Sequence, residues 1–199
     1  MTATDDAIAA AFAATTAEGL VAAPMAILQA RLGDRQAHLR PGALAPGQDQ
    51  FFVGGGFLVT PDGRHLMLFG NTGFPPDQRR LCVPVDGGDP GRVIASGEPL
   101  LIADTRSHSG FRQYLKTARM GSAAYAPLLV QGRPFGLIIV AALAGGTLGE
   151  GDLAALTALA PVIAARWPDL HGPAWLAAEY ARATASGEAH FAAPEGVSP

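Results

Sequence analysis

Cysteine is almost missing from this 199-residue chain: Cys82 stands alone, so no intrachain disulfide can form and a secreted disulfide scaffold is excluded. Lysine is as scarce, with Lys116 the only one against thirteen arginines, and acid exceeds base for a formal net charge of −3. That balance lacks the basic face of a nucleic-acid binder. Charged residues make up only 16% against 49% hydrophobic, which excludes a disordered chain. At this length roughly 70% of the surface can be buried, enough for one core with appendages. The stretch Ala7–Ala30 has only Glu18 as a charge, but it is mostly alanine and is broken by Gly19 and Pro24, so no membrane span is expected. Asp5 and Asp6 stand where a signal peptide needs positive charge, pointing to a cytoplasmic protein. Arginine in place of lysine, with abundant alanine, suggests a GC-rich bacterial gene.

Several chemical signatures are absent too. Lys116 lacks the glycines of a phosphate loop, Gly54 and Gly56 lack the third glycine of a dinucleotide fingerprint, and no Gly-x-Ser-x-Gly elbow occurs. His38, His65, His108, His171 and His190 are far apart, and none pairs at helical spacing with another ligand, so no metal is expected. No cofactor can be named.

What is present reads as α+β. Residues 5–32 suggest two short helices or one kinked helix, with Pro24 at a first-turn position, and 34–50 a linker. Phe51–Val59 and His65–Asn71 flank Thr60-Pro-Asp-Gly63 as a hairpin, in which Gly54–Gly56 implies a bulge or a close backbone approach. A strand at Leu81–Val85, a brief helix at Pro90–Ser96 and a strand at Pro99–Ala103 follow. Ala123–Val130 and Phe135–Leu143 form a second hairpin, whose continuous apolar run Leu137–Val140 implies burial on both faces. Thr147 with Glu150 reads as a capping box for a helix ending near Arg166, and a further amphipathic helix covers Pro173–Thr184. Ser186–Pro199 reads as frayed. Tight hairpins cannot join parallel strands, so the sheet should be antiparallel.

The densest polar cluster is Asp104-Thr-Arg-Ser-His-Ser-Gly-Phe-Arg112, between a strand end and a helix. Asp104, Thr105 or Ser107 could simply cap that helix. Alternatively Arg106 or Arg119 could hold an anionic ligand, and Tyr114 or Tyr125 could stack on one or bond it, unless they are core residues. Cys82 reads as a small buried hydrophobe or as a candidate reactive thiol, with Arg79 and Arg80 adjacent.

Pro90-Gly-Arg-Val-Ile-Ala-Ser-Gly-Glu-Pro-Leu-Leu-Ile-Ala-Asp104 resembles the small helix, Gly-Glu-Pro turn and strand ending in aspartate of a GAF domain. The resemblance continues through the hairpin Met120–Ala142, with its Pro-Leu and Gly-Leu-Ile, and the helix start at Thr147 and Glu150–Leu156. It covers about residues 48–167, leaving 1–47 as N-terminal helices and linker and 168–199 as a C-terminal helix and tail. It implies a GAF-like, PAS-related twisted antiparallel sheet of five or six strands with helices on both faces. It also implies a small molecule held between the sheet and a loop-helix. Family ligands include cyclic nucleotides, linear tetrapyrroles, haem and small metabolites. The Asn-Lys-Phe-Asp-Glu signature of cyclic-nucleotide binders and the Cys-His pair that anchors bilins are missing here. The free methionine sulfoxide reductases of this fold use several cysteines.

The expected function is a sensory or regulatory protein of bacterial signal transduction. Its ligand pocket would be lined by Phe69, Asp104, Arg106, His108, Phe111, Tyr114, Arg119 and Tyr125. Output would pass through a homodimer formed by the terminal helices, or through a protein partner. A ligand-free interaction module and a redox enzyme using Cys82 are the alternatives.

Overall fold

The computed structural model describes residues 2–108 and 119–192. Among these residues seven strands form one sheet: β1 (Phe52–Val59), β2 (His65–Thr72), β3 (Arg80–Pro84), β4 (Leu100–Ile102), β5 (Ser122–Val130), β6 (Arg133–Ala142) and β7 (Ala189–Phe191), in the order β4-β5-β6-β1-β2-β3-β7. Helices α1 (Ala3–Ala13), α2 (Gly19–Arg31), α4 (Glu150–Arg166) and α5 (Gly172–Ser186) share one face, and α3 (Gly88–Ser96) packs on β5 and β6 from the other.

Both expected hairpins form. In the second, Gln131 and Gly132 both take positive φ, the requirement of a two-residue turn that matches strand twist. Strand β6 is buried on both sides, as its unbroken apolar run implies. Ile138 and Val140 face the four helices, whereas Leu137, Ile139 and Ala141 face α3. The register of β1 against β2 slips between Gly54 and Gly56. A Cβ on Gly56 would sit 2.7 Å from the Phe69 ring and 3.0 Å from Val21, so this glycine lets α2 and Phe69 close onto the sheet. The glycine triad thus combines a bulge with close helix approach.

Four expectations change. The sheet has seven strands, not five or six, and its edge pair β3–β7 is parallel. Strand β7 comes from the segment expected to fray; it is held on the outer edge of β3, where Ala192 N donates to Cys82 O at 2.9 Å. Pro24 lies inside α2, because the helix starts five residues earlier, where the Thr16 hydroxyl accepts the Gly19 N–H at 3.0 Å. The cap of α4 also moves: Asp152 accepts the Gly149 N–H at 2.9 Å, while Thr147 donates to Ala144 O at 2.7 Å. The apolar stripes of the terminal helices are consumed within the chain, with α1 lying on α2 and α4, and α5 closing over Phe69 with Trp175. Phe12, 59% exposed, is the main apolar side chain these helices leave outside.

Candidate functional site

The polar cluster begins as a single 3₁₀ turn, Thr105–Ser107. Thr105 is fully buried and fixes the turn to the approach to β5: its hydroxyl donates to Met120 O at 2.7 Å and its N–H to Gly121 O at 2.9 Å. Arg119 Nη2 donates to Thr105 O at 2.9 Å. Asp104 caps the turn, accepting from Arg106 N at 2.9 Å, and its carboxylate also receives Arg106 Nε and Nη2. Those Arg106 bonds hold the Asp104 carboxyl below the usual carboxylate range. Arg106 Nη1 donates to Gly42 O, stapling the linker down. Between the linker and this turn lies a cleft of about 280 Å³, with Gly42, Gln48, Arg106, Arg119 and Leu143 among its walls.

His108 follows the turn and points elsewhere. Its Nε2 lies 2.8 Å from Oδ1 of Asp89, at the start of α3. Asp89 is 2% exposed, and its second oxygen, Oδ2, is buried without a hydrogen-bond partner among the described residues. Tyr125 belongs to the same sheet face, within the apolar cluster of Val93, Ile102, Met120 and Ile139. Burial, and then the charge of Asp89, push its hydroxyl far above the ordinary tyrosine range. The segment 104–108 therefore carries Arg106 on the cleft and His108 on the α3 side.

The structure brings Asp104, Arg106, Arg119, His108 and Tyr125 around this segment, but not Phe69. That ring lies on the opposite face of the sheet, 5.8 Å from both Trp167 and Trp175. Phe111 and Tyr114 lie outside the described residues. Arg106 is committed to Asp104 and Gly42, which leaves little for an external anion. Cys82 faces the four helices and is fully buried, and burial pushes its thiol up to about 12. A reactive thiol needs the reverse on both counts.

Two features escaped the sequence reading. Asp89 looks like any acid in a helix's first turn, where the dipole favours it, and only its burial and the His108 contact mark it out. Arg80 hides in an apolar strand, 1% exposed, yet bonds both Glu18 oxygens at 3.0 and 3.1 Å and Glu179 at 2.7 Å. These bonds occupy the charge expected to activate Cys82. Among the described residues no group of three metal-ligating side chains occurs, and no helix is long and apolar enough to cross a membrane.

The GAF domain family matches residues 49–166. No curated protein matches the sequence. Similar solved structures include the GAF domain of an Acinetobacter phosphoenolpyruvate-protein phosphotransferase, at 12% identity over 85% of this chain and 92% of that one, with a TM-score of 0.67. The free methionine-R-sulfoxide reductase of Neisseria meningitidis, in complex with its substrate, aligns at 20% identity over 85% of this chain and 89% of its own, with a TM-score of 0.65. The GAF domain of the Coxiella burnetii phosphoenolpyruvate-protein phosphotransferase aligns at 19% identity, over 93% and 94% of the two chains, with a TM-score of 0.60.

Proposed function

The chain belongs to the GAF domain family, and from that premise we propose that it is a small-molecule-binding regulatory protein of bacterial signal transduction, working in the cytoplasm. The ligand seats on the α3 face of the sheet, beside the 104–108 segment. The observation that carries this reading is the Asp89–His108 pair: a polar contact on the sheet face that holds the apolar cluster of Val93, Ile102 and Tyr125, with one carboxylate oxygen left without a partner among the described residues. Apolar walls with a few placed polar groups are what small-molecule sites are made of. Ligand binding favours one conformation of the protein, and output passes as a population shift to a second copy or a partner protein. A dimer built on the terminal helices would centre on Phe12. The redox reading receives no support from Cys82, which is buried and holds its proton.

The test is a thermal-shift screen of the purified full chain against small metabolites, with mass spectrometry for any molecule retained from expression. At a hundredfold excess over Kd, a ligand specific for the folded state adds about 2.7 kcal/mol. For a chain of this size that raises Tm by roughly 5–10 °C. A broad screen without stabilisation and without a retained molecule would overturn the proposal in favour of a ligand-free interaction module.

A further inference from the structure

The open oxygen of Asp89 says what kind of ligand fits. An ionised carboxylate only accepts hydrogen bonds, and buried polar groups are nearly always satisfied. Here Oδ1 is matched by His108 at 2.8 Å and, among the described residues, Oδ2 by nothing, although the residue is 2% exposed. Among the described residues, His108 is the one side chain in hydrogen-bond contact with it. On α3 and the sheet face it packs on, Val93, Ile94, Ile102, Tyr125 and Ile139 belong to one apolar cluster, and the charge of Asp89 reaches the Tyr125 hydroxyl.

We propose that Asp89 Oδ2, with His108 fixing its twin oxygen, anchors a small molecule that carries a cationic N–H donor, an ammonium or amidinium group, on an apolar body. This rests on the ligand-binding reading above and adds the chemical class. A carbonyl, ether or carboxylate has no hydrogen to offer Oδ2, and a carboxylate is repelled as well. A neutral N–H or O–H can bond there, but a charge-assisted bond is roughly twice as strong. The cleft arginines do not point to the opposite class, since Arg106 is already spent on Asp104 and Gly42. The competing occupant is the chain's own ammonium, Lys116, which lies outside the described residues.

Calorimetric titration of the full chain with compounds sharing a benzyl or phenyl body separates these cases. Benzylammonium and benzamidinium should bind about tenfold or more tightly than benzyl alcohol and phenylacetate. Benzyltrimethylammonium, a cation with no N–H, should bind no better than the alcohol. Asp89→Asn should erase the preference and His108→Ala should keep it. If Asp89→Asn fails to fold by circular dichroism, the N–H dependence in the unaltered chain, retained in His108→Ala, decides the matter. Equal binding across the set, or absence of binding, overturns the cationic class. So does a preference that emerges only in Lys116→Met, because Lys116 then fills the position itself. Tight binding of phenylacetate, indifferent to Asp89→Asn, overturns the class while leaving the ligand-binding reading in place.

Discussion

A thiol in the middle of a strand can serve chemistry or packing, and at Cys82 burial separates the two. Its proton is held to about 12, against an ordinary value of 9.0, so at neutral pH its thiolate fraction falls about a thousandfold. Folded protein at pH 7 should therefore resist iodoacetamide under conditions where urea-unfolded protein reacts fully, with mass spectrometry counting the adducts. Alkylation of the folded chain at the rate of a free thiol would revive the redox reading. Cys82 was legible from its apolar neighbours, but Asp89 was not. An aspartate in a helix's first turn is ordinary, and nothing in Gly-Asp-Pro-Gly tells that His108 will close on it from nineteen residues away. Phe69, expected in the pocket with Tyr125, lies on the other side of the sheet for a related reason. Alternation along a strand shows that two faces exist, but not which of them each parity joins; the register slip between Gly54 and Gly56 breaks the count between neighbouring strands.

At the scale of elements, the tightest seam is α2 against β1 and β2. The missing side chain of Gly56 is the space that the Phe69 ring and Val21 occupy. Gly56→Ala should cost about 1–3 kcal/mol through overpacking. Gly151→Ala, in the first turn of α4 with open space around it, should be neutral or stabilising by up to about 1 kcal/mol. Urea midpoints for the two variants check the contrast, and equal midpoints would show that α2 can shift without penalty. The hairpins were readable because turn residues and apolar periodicity are local signals. Strand β7 was not: Ala-His-Phe has no alternation to detect and is a strand only because β3 offers it an edge. The start of α2 lies ahead of Pro24 because proline's preference for a first turn is statistical, whereas here the turn closed by the Thr16 hydroxyl on the Gly19 N–H leads into the helix earlier.

Across the whole molecule, Arg80 joins parts that lie far apart in sequence. It sits on β3, bonds Glu18 between α1 and α2, and bonds Glu179 on α5. Arg182 extends the cluster to Glu179 and Glu188, and Arg79 approaches Glu18 and Glu188. Hydrogen bonds from Arg182 and then Arg80 hold the Glu179 carboxyl down at about 2, against an ordinary 4.5. A depressed carboxyl contributes stability above its unfolded value and loses it as pH falls toward the folded one. The window is therefore pH 4.5 down to about 2. Arg80→Met should cost about 1.5–3 kcal/mol at pH 7, because it removes the charge-assisted bonds of the half-buried Glu18 and Glu179 and leaves them only Arg79 and Arg182. It should also flatten the loss of stability across that acid window, as read from urea unfolding at a series of pH values. A cost below about 1 kcal/mol with an unchanged acid profile would show that the cluster adds little.

The same arginine has a mechanical meaning. Glu18 lies near one end of the chain and Glu179 near the other, and both are tied to one guanidinium beneath Trp175. Tension applied through the N-terminal helices would meet that knot before it reached the sheet, whereas tension from beyond α5 would first peel β7 from β3. A partner docked on the N-terminal helices would thus load the Arg80 junction ahead of the sheet, with the α3 face lying behind it.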